Sequence, residues 1–212
     1  MMESLTLLFV PLSLIATAVM AASAAIQARR FNLDLFGATV LGVVTAVGGG
    51  TLRDVLLGLT PVFWISDLRF LLVAVPSSLL SFLIAARMPT GNGRRLALLM
   101  YLDAVGLALF TLTGVQVALE AGVAPVLTIV IGCVTGTAGG MIRDLLCNIT
   151  PSVLREDLYA TISLAGGAAY LAFSQFMGES TATLVTFGLI LLARLVVLWM
   201  NPPKPDQEAS RN

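Results

Sequence analysis

Two short blocks hold the residues of greatest chemical interest in this chain. They are Thr45-Ala46-Val47-Gly48-Gly49-Gly50-Thr51-Leu52-Arg53-Asp54 and Thr135-Gly136-Thr137-Ala138-Gly139-Gly140-Met141-Ile142-Arg143-Asp144. In each, a threonine and a glycine run precede an Arg-Asp pair inside an otherwise apolar stretch. A charged residue at membrane depth costs about 2.5–3.5 kcal/mol on insertion scales and by default marks an ion or substrate pathway or an internal ion pair. Nucleophilic and acid–base chemistry has little support: there is no histidine, which removes Ser-His-Asp and Cys-His activation and His-ligated zinc. Cys133 and Cys147 stand singly in apolar runs and read as small apolar fillers. No enzyme, cofactor or metal centre is expected.

Such blocks need elements that can hold charge inside a bilayer, and the composition supplies them. Of 212 residues, 58% are hydrophobic and 11% charged, against about 25% charged in soluble domains; mean hydropathy is +0.95. Twelve basic and twelve acidic side chains cancel, leaving no basic field to bind nucleic acid. A bilayer core of about 30 Å needs about 20 apolar residues per helix. Seven such stretches occur: Leu5 to Ala28, Leu33 to Leu57, Leu68 to Ala86, Leu96 to Leu119, Val123 to Cys147, Leu158 to Met177 and Ala182 to Met200. The fold expected is an all-α integral membrane protein.

Positive residues in short loops stay cytoplasmic. An N-terminus outside puts Arg29, Arg30, Arg87, Arg94, Arg95 and Arg155 in the cytoplasmic loops, with Lys204 and Arg211 in the tail, and only Arg69 outside. Phe63, Trp64, Tyr101, Tyr159 and Trp199 at span ends fit interfacial belts.

Gly42 to Leu68 matches Gly132 to Leu158 without a gap at a shift of 90 residues, through Gly49 with Gly139, Arg53 with Arg143, Asp54 with Asp144 and Pro61 with Pro151. Each copy holds three spans, so the second must enter the membrane from the opposite side. The expected organisation is a first three-helix repeat over 1–90, an inverted second repeat over 91–180, and a seventh helix with a cytoplasmic tail over 181–212. Interrupted helices in corresponding positions of two such halves mark transport sites. The consecutive glycines read either as a kink or break exposing carbonyls or as close helix packing through small residues. Because adjacent helical residues point about 100° apart, Arg53 is expected to pair across repeats with Asp144, and Arg143 with Asp54, rather than with their neighbours. Asp103 opens the fourth span and reads as an N-cap, a cation attractor or an arginine partner. Thr17, Ser23, Gln27, Thr111, Thr113 and Gln116 either wet a path or bond across helices. Thr60-Pro61 and Thr150-Pro151 read as turns ahead of caps at Asp67 and Asp157.

On the doubled glycine-Arg-Asp block, the duplication and the seven spans, the sequence resembles the bacterial relatives of the trimeric intracellular cation (TRIC) channels. That resemblance implies a homotrimer in the inner membrane, each protomer with its own pore lined by kinked spans 2 and 5, conducting monovalent cations such as potassium and sodium among membrane lipids. Thr45, Gly48, Gly49, Gly50, Thr135, Gly139 and Gly140 would then contact the ion, and Arg53, Asp54, Asp103, Arg143 and Asp144 would gate or pair. Members of the same duplicated family labelled glycine transporters imply a rival, an alternating-access carrier in which amides of Thr51 and Met141 with an arginine bind a zwitterion's carboxylate. The chain departs from the pattern at Ser13, which stands where Asp103 stands in the second copy, and at Ala138, which replaces a first glycine.

Overall fold

The chain is seen as a computed structural model that describes residues 2–88, 93–155 and 158–202, with side chains from residue 9 onward. The Asp157 cap, Lys204, Arg211, the tail and the repeat boundary near residue 90 lie outside the described residues. The described elements are all helical: α1 (Met2–Arg30), α2 (Leu35–Leu57), α3 (Phe63–Ser66), α4 (Arg69–Ala86), α5 (Arg94–Glu120), α6 (Pro125–Leu146), α7 (Ser152–Arg155), α8 (Ala160–Phe173) and α9 (Glu179–Met200).

Local chemistry sets the helix ends. Asp34 caps α2 by accepting from the Gly37 amide at 2.7 Å, and Gly58 at φ 67° closes it in the left-handed region that favours glycine. Pro125 opens α6, where its missing amide hydrogen costs nothing. Pro61 and Pro151 do precede the short α3 and α7, and the Asp67 carboxylate accepts from the Arg69 amide at the start of α4.

Six helices, α1, α2, α4, α5, α6 and α9, are long and apolar enough to cross a membrane. The expected span from Leu158 to Met177 is shorter than its sequence implied: α8 holds 14 residues, about 21 Å at 1.5 Å per residue. Leu158 and Tyr159 precede it, the Tyr159 side chain lying inside at 2% exposed, and residues Ser174 to Met177 turn away from the helix at its other end.

Solvent-type polarity is inverted, as a bilayer demands. Leu72, Leu80, Val126, Leu184 and Trp199 are exposed, while Arg53, Asp54, Asp103, Arg143, Asp144 and Arg194 are buried. Lipid tails are as apolar as leucine, so helices associate here through close packing and interhelical hydrogen bonds. Ala16, Ala21, Ala24, Ala25 and Ala28 of α1 are completely buried and let it lie against α2, α4 and α5. Between the two halves, equivalent helices meet: α1 packs on α5, and α2 on α6. α9 covers α5 and α8.

Candidate functional site

The two glycine runs meet each other at the centre of the molecule. A Cβ on Gly49 would overlap the Thr135 carbonyl oxygen, and one on Gly139 would stand 2.5 Å from the Thr45 carbonyl oxygen. The contact is therefore reciprocal, each glycine against the other helix's threonine, and the pairing of 49 with 135 and 45 with 139 makes α2 and α6 antiparallel. Only glycine permits backbones to approach this closely. The expected break does not occur: α2 and α6 are helical without interruption through Gly48–Gly50 and Gly139–Gly140, so no run of carbonyls is released and the Thr51 and Met141 amides remain inside helices. Close packing accounts for Gly49 and Gly139. The threonines differ. Thr135 Oγ1 donates to the Ile131 carbonyl at 2.7 Å, whereas the buried Thr45 hydroxyl finds no hydrogen-bond partner among the described residues.

Beyond the crossing each helix carries its Arg-Asp pair toward opposite ends of the molecule. Arg53 and Asp144 are thus on the order of 20 Å apart along the axis, which rules out the expected cross-repeat pairs. Each arginine instead holds its own neighbour. Arg53 Nε and Nη2 reach Asp54 Oδ1 at 2.8 and 2.7 Å; Arg143 Nε and Nη2 reach Asp144 Oδ1 at 2.9 Å each. Divergent Cβ directions are overcome by arginine's three methylenes, which bend the guanidinium back along the helix. The second carboxylate oxygens repeat the same motif, Asp54 Oδ2 accepting from the Phe63 amide at 2.8 Å and Asp144 Oδ2 from the Ser152 amide at 3.1 Å. Each pair so ties its span to the short helix that follows.

The two ends then diverge. At the α6 end, Arg143 Nη1 donates to Asp103 Oδ1 at 2.8 Å and to Ser23 Oγ at 3.2 Å, and the Tyr159 hydroxyl donates to Asp103 Oδ2 at 2.5 Å. Asp103 lies nine residues past the start of α5, 4% exposed; it is an arginine partner and not an N-cap, and Tyr159 is a network member and not an interfacial residue. Sequence reasoning missed Tyr159 and Arg194 as parts of this site. Arg194 had a signal, a lone arginine within an apolar span.

At the α2 end the Asp103 position is Ser13, and a cavity of about 330 Å³ opens there. Ser13, Gly50, Arg53, Thr113 and Gln116 line it, with Asp67 and Glu120 also on its wall. Buried Arg53 and exposed Glu120 place the cation deep and a carboxylate at the rim. Asp67 is joined to Arg69 at 2.7 Å, and the hydrogen bonds from Arg69 hold its carboxyl below the usual range. Gln116 bridges Tyr170 and Glu120, accepting from the first at 3.0 Å and donating to the second at 3.2 Å. Thr111 bonds Ser163 across helices at 2.6 Å, and Thr17 and Thr113 turn back to their own helix carbonyls.

Comparison with known proteins bears on this arrangement. The family described as Glycine transporter matches residues 11–86 and again 100–175. YadS, a UPF0126 inner membrane protein of Escherichia coli K12, is 42% identical over 88% of this chain and 90% of its own. Among solved structures, the TRIC trimeric intracellular cation channel orthologue from Rhodobacter sphaeroides is 36% identical with a TM-score of 0.86, covering 92% of this chain and 98% of that one. A prokaryotic TRIC channel crystallised in 0.5 M KCl is 30% identical with a TM-score of 0.88, covering 93% and 99%.

Proposed function

We infer function from membership: this chain belongs to the Glycine transporter family, the family of the bacterial TRIC channels, and we propose that it is a cation channel of the bacterial inner membrane. The proposed path starts in the cavity at Arg53, passes the α2–α6 crossing at Thr45, Gly48, Gly49, Gly50, Thr135, Gly139 and Gly140, and leaves past Asp103 and Arg143. Each protomer of a homotrimer carries one such path for potassium or sodium. The arginines are neutralised by Asp54 and Asp144, so they do not repel the ion as bare charges would. The cavity lined by Gly50, the residue next to the crossing glycine Gly49, and by Arg53 is the single observation that carries this reading. The unpartnered Thr45 hydroxyl supports it as an oxygen free to meet an ion when the helices part.

The reciprocal Gly49–Thr135 and Gly139–Thr45 contacts and the antiparallel crossing support an inverted pair of repeats over 1–90 and 91–180, with 181–212 added. With the N-terminus outside, the cavity faces the periplasm and Arg143 the cytoplasmic half. In this closed arrangement conduction requires α2 and α6 to separate.

Potassium flux into proteoliposomes tests the path. Wild-type protein is expected to conduct, and Gly49→Leu to change flux by an order of magnitude or more; unchanged flux in a folded Gly49→Leu protein would remove the crossing from the path.

One observation favours a second reading, a carrier of a small zwitterion. Arg53 lines a cavity that also holds Glu120, a cation that would suit a carboxylate and an anion that would suit an ammonium. Saturable glycine uptake by the same vesicles, without electrogenic potassium flux, would select it.

A further inference from the structure

α9 has no counterpart in the duplicated part of the sequence, yet it sends the buried Arg194, 1% exposed, toward the Arg143 site. The guanidinium lies over the Tyr159 ring, 4.5 Å from its centroid, and Nη1 donates to the Leu158 carbonyl at 3.2 Å. Both contacts fix the backbone and ring from which the Tyr159 hydroxyl reaches Asp103 Oδ2. Asp103 Oδ1 in turn holds Arg143 Nη1. Arg194, Tyr159, Asp103 and Arg143 thus form one chain of contacts from α9 across the start of α8 to α5 and α6.

The other end of the molecule serves as an internal control. Ninety residues before Asp103 and Tyr159 stand Ser13 and Arg69. Neither supplies a carboxylate or a phenol to Arg53, because Arg69 is exposed and paired with Asp67. There the 330 Å³ cavity opens. At the end with the phenol and second carboxylate the network is buried, Ser23, Asp103, Arg143 and Tyr159 each being 4% exposed or less; at the end without them Arg53 borders the cavity.

We propose that Arg194 and Tyr159 are positioning residues that form a latch, clamping Asp103 onto Arg143 and so keeping that end of the α2–α6 crossing dry. Without the phenol, Asp103 Oδ2 is a buried carboxylate oxygen lacking a donor, a state that draws in water. Through this latch the unduplicated helix governs opening of the path, a consequence that rests on the channel reading above.

Water access at Ser23 tests the latch without any current. Ser23 is completely buried against Arg143, so Ser23→Cys, in a background with Cys133→Ala and Cys147→Ala, reports entry of a small methanethiosulfonate reagent into the full-length protein in liposomes. Tyr159→Phe and Arg194→Met are each expected to raise the modification rate by about tenfold. The double variant is expected to react no faster than Tyr159→Phe alone, because both act through one contact, and Arg194→Lys, which keeps a cation over the ring, to restore most of the slow rate. Unchanged rates in folded variants, or additive increases, would overturn the latch. Should Tyr159→Phe fail to fold, the Met-against-Lys comparison at 194 decides in the same way. Absence of potassium flux in the parent would sink the channel reading while leaving these rates interpretable.

Discussion

Arg53 and Arg143 share a sequence context and differ in what surrounds them, and that difference sets what each substitution costs. Arg143 neutralises two carboxylates, Asp103 and Asp144, and all three side chains are buried. Arg143→Met strands both and is expected to lower stability by about 3–5 kcal/mol, seen as a large drop in the thermal unfolding midpoint in detergent. Arg53 has one carboxylate partner and a cavity beside it, so water can take over at Asp54 and Arg53→Met is expected to lower that midpoint much less. Equal losses would contradict the asymmetry. Glu120, exposed on the cavity wall, should concentrate cations there: Glu120→Gln is expected to reduce unitary conductance at low salt and to have little effect near 1 M, where the Debye length is about 3 Å. The residues of this network were legible in sequence as charges in apolar runs, but their partners were not. Pairing Arg53 with Asp54 depends on side-chain reach, and Asp103 with Tyr159 on tertiary contact between α5 and α8, neither of which spacing encodes.

At the scale of elements, the glycines of α2 and α6 act by what they omit. Gly139→Ala puts a methyl group against the Thr45 carbonyl oxygen and is expected to destabilise the protein by about 1–3 kcal/mol through overpacking. Gly188→Ala, with nothing within 4 Å, is expected to be neutral or to stabilise by up to about 1 kcal/mol through helix propensity. Unfolding midpoints of the two variants give the comparison. Sequence located the crossing, since glycine pairs recurring at the repeat distance mark the same point on a helix of each half. It could not tell a break from a seam, because both satisfy the same composition and differ only in whether another backbone lies opposite. The shortened α8 was illegible for a related reason: the apolar run continues past both helix ends, at Leu158 and Tyr159 before it and through the turn at Ser174 to Met177 after it.

For the whole molecule, duplication, helical class and membrane placement were readable from hydropathy and the 90-residue shift, whereas the inequality of the two ends showed in sequence as Ser13 against Asp103 and Arg69 against Tyr159. The arginine distribution gives a topology test: a reporter fused after residue 212 is expected to be active in the cytoplasm, and a reporter with the opposite requirement to be silent there. The central claim, a cation path through the α2–α6 crossing, is tested most directly by single-channel recording of purified protein in a planar bilayer under a KCl gradient, repeated with added glycine. Discrete openings that reverse near the potassium equilibrium potential, unaffected by glycine, are the expected result. A silent bilayer, from a preparation that takes up glycine saturably in proteoliposomes, would contradict it.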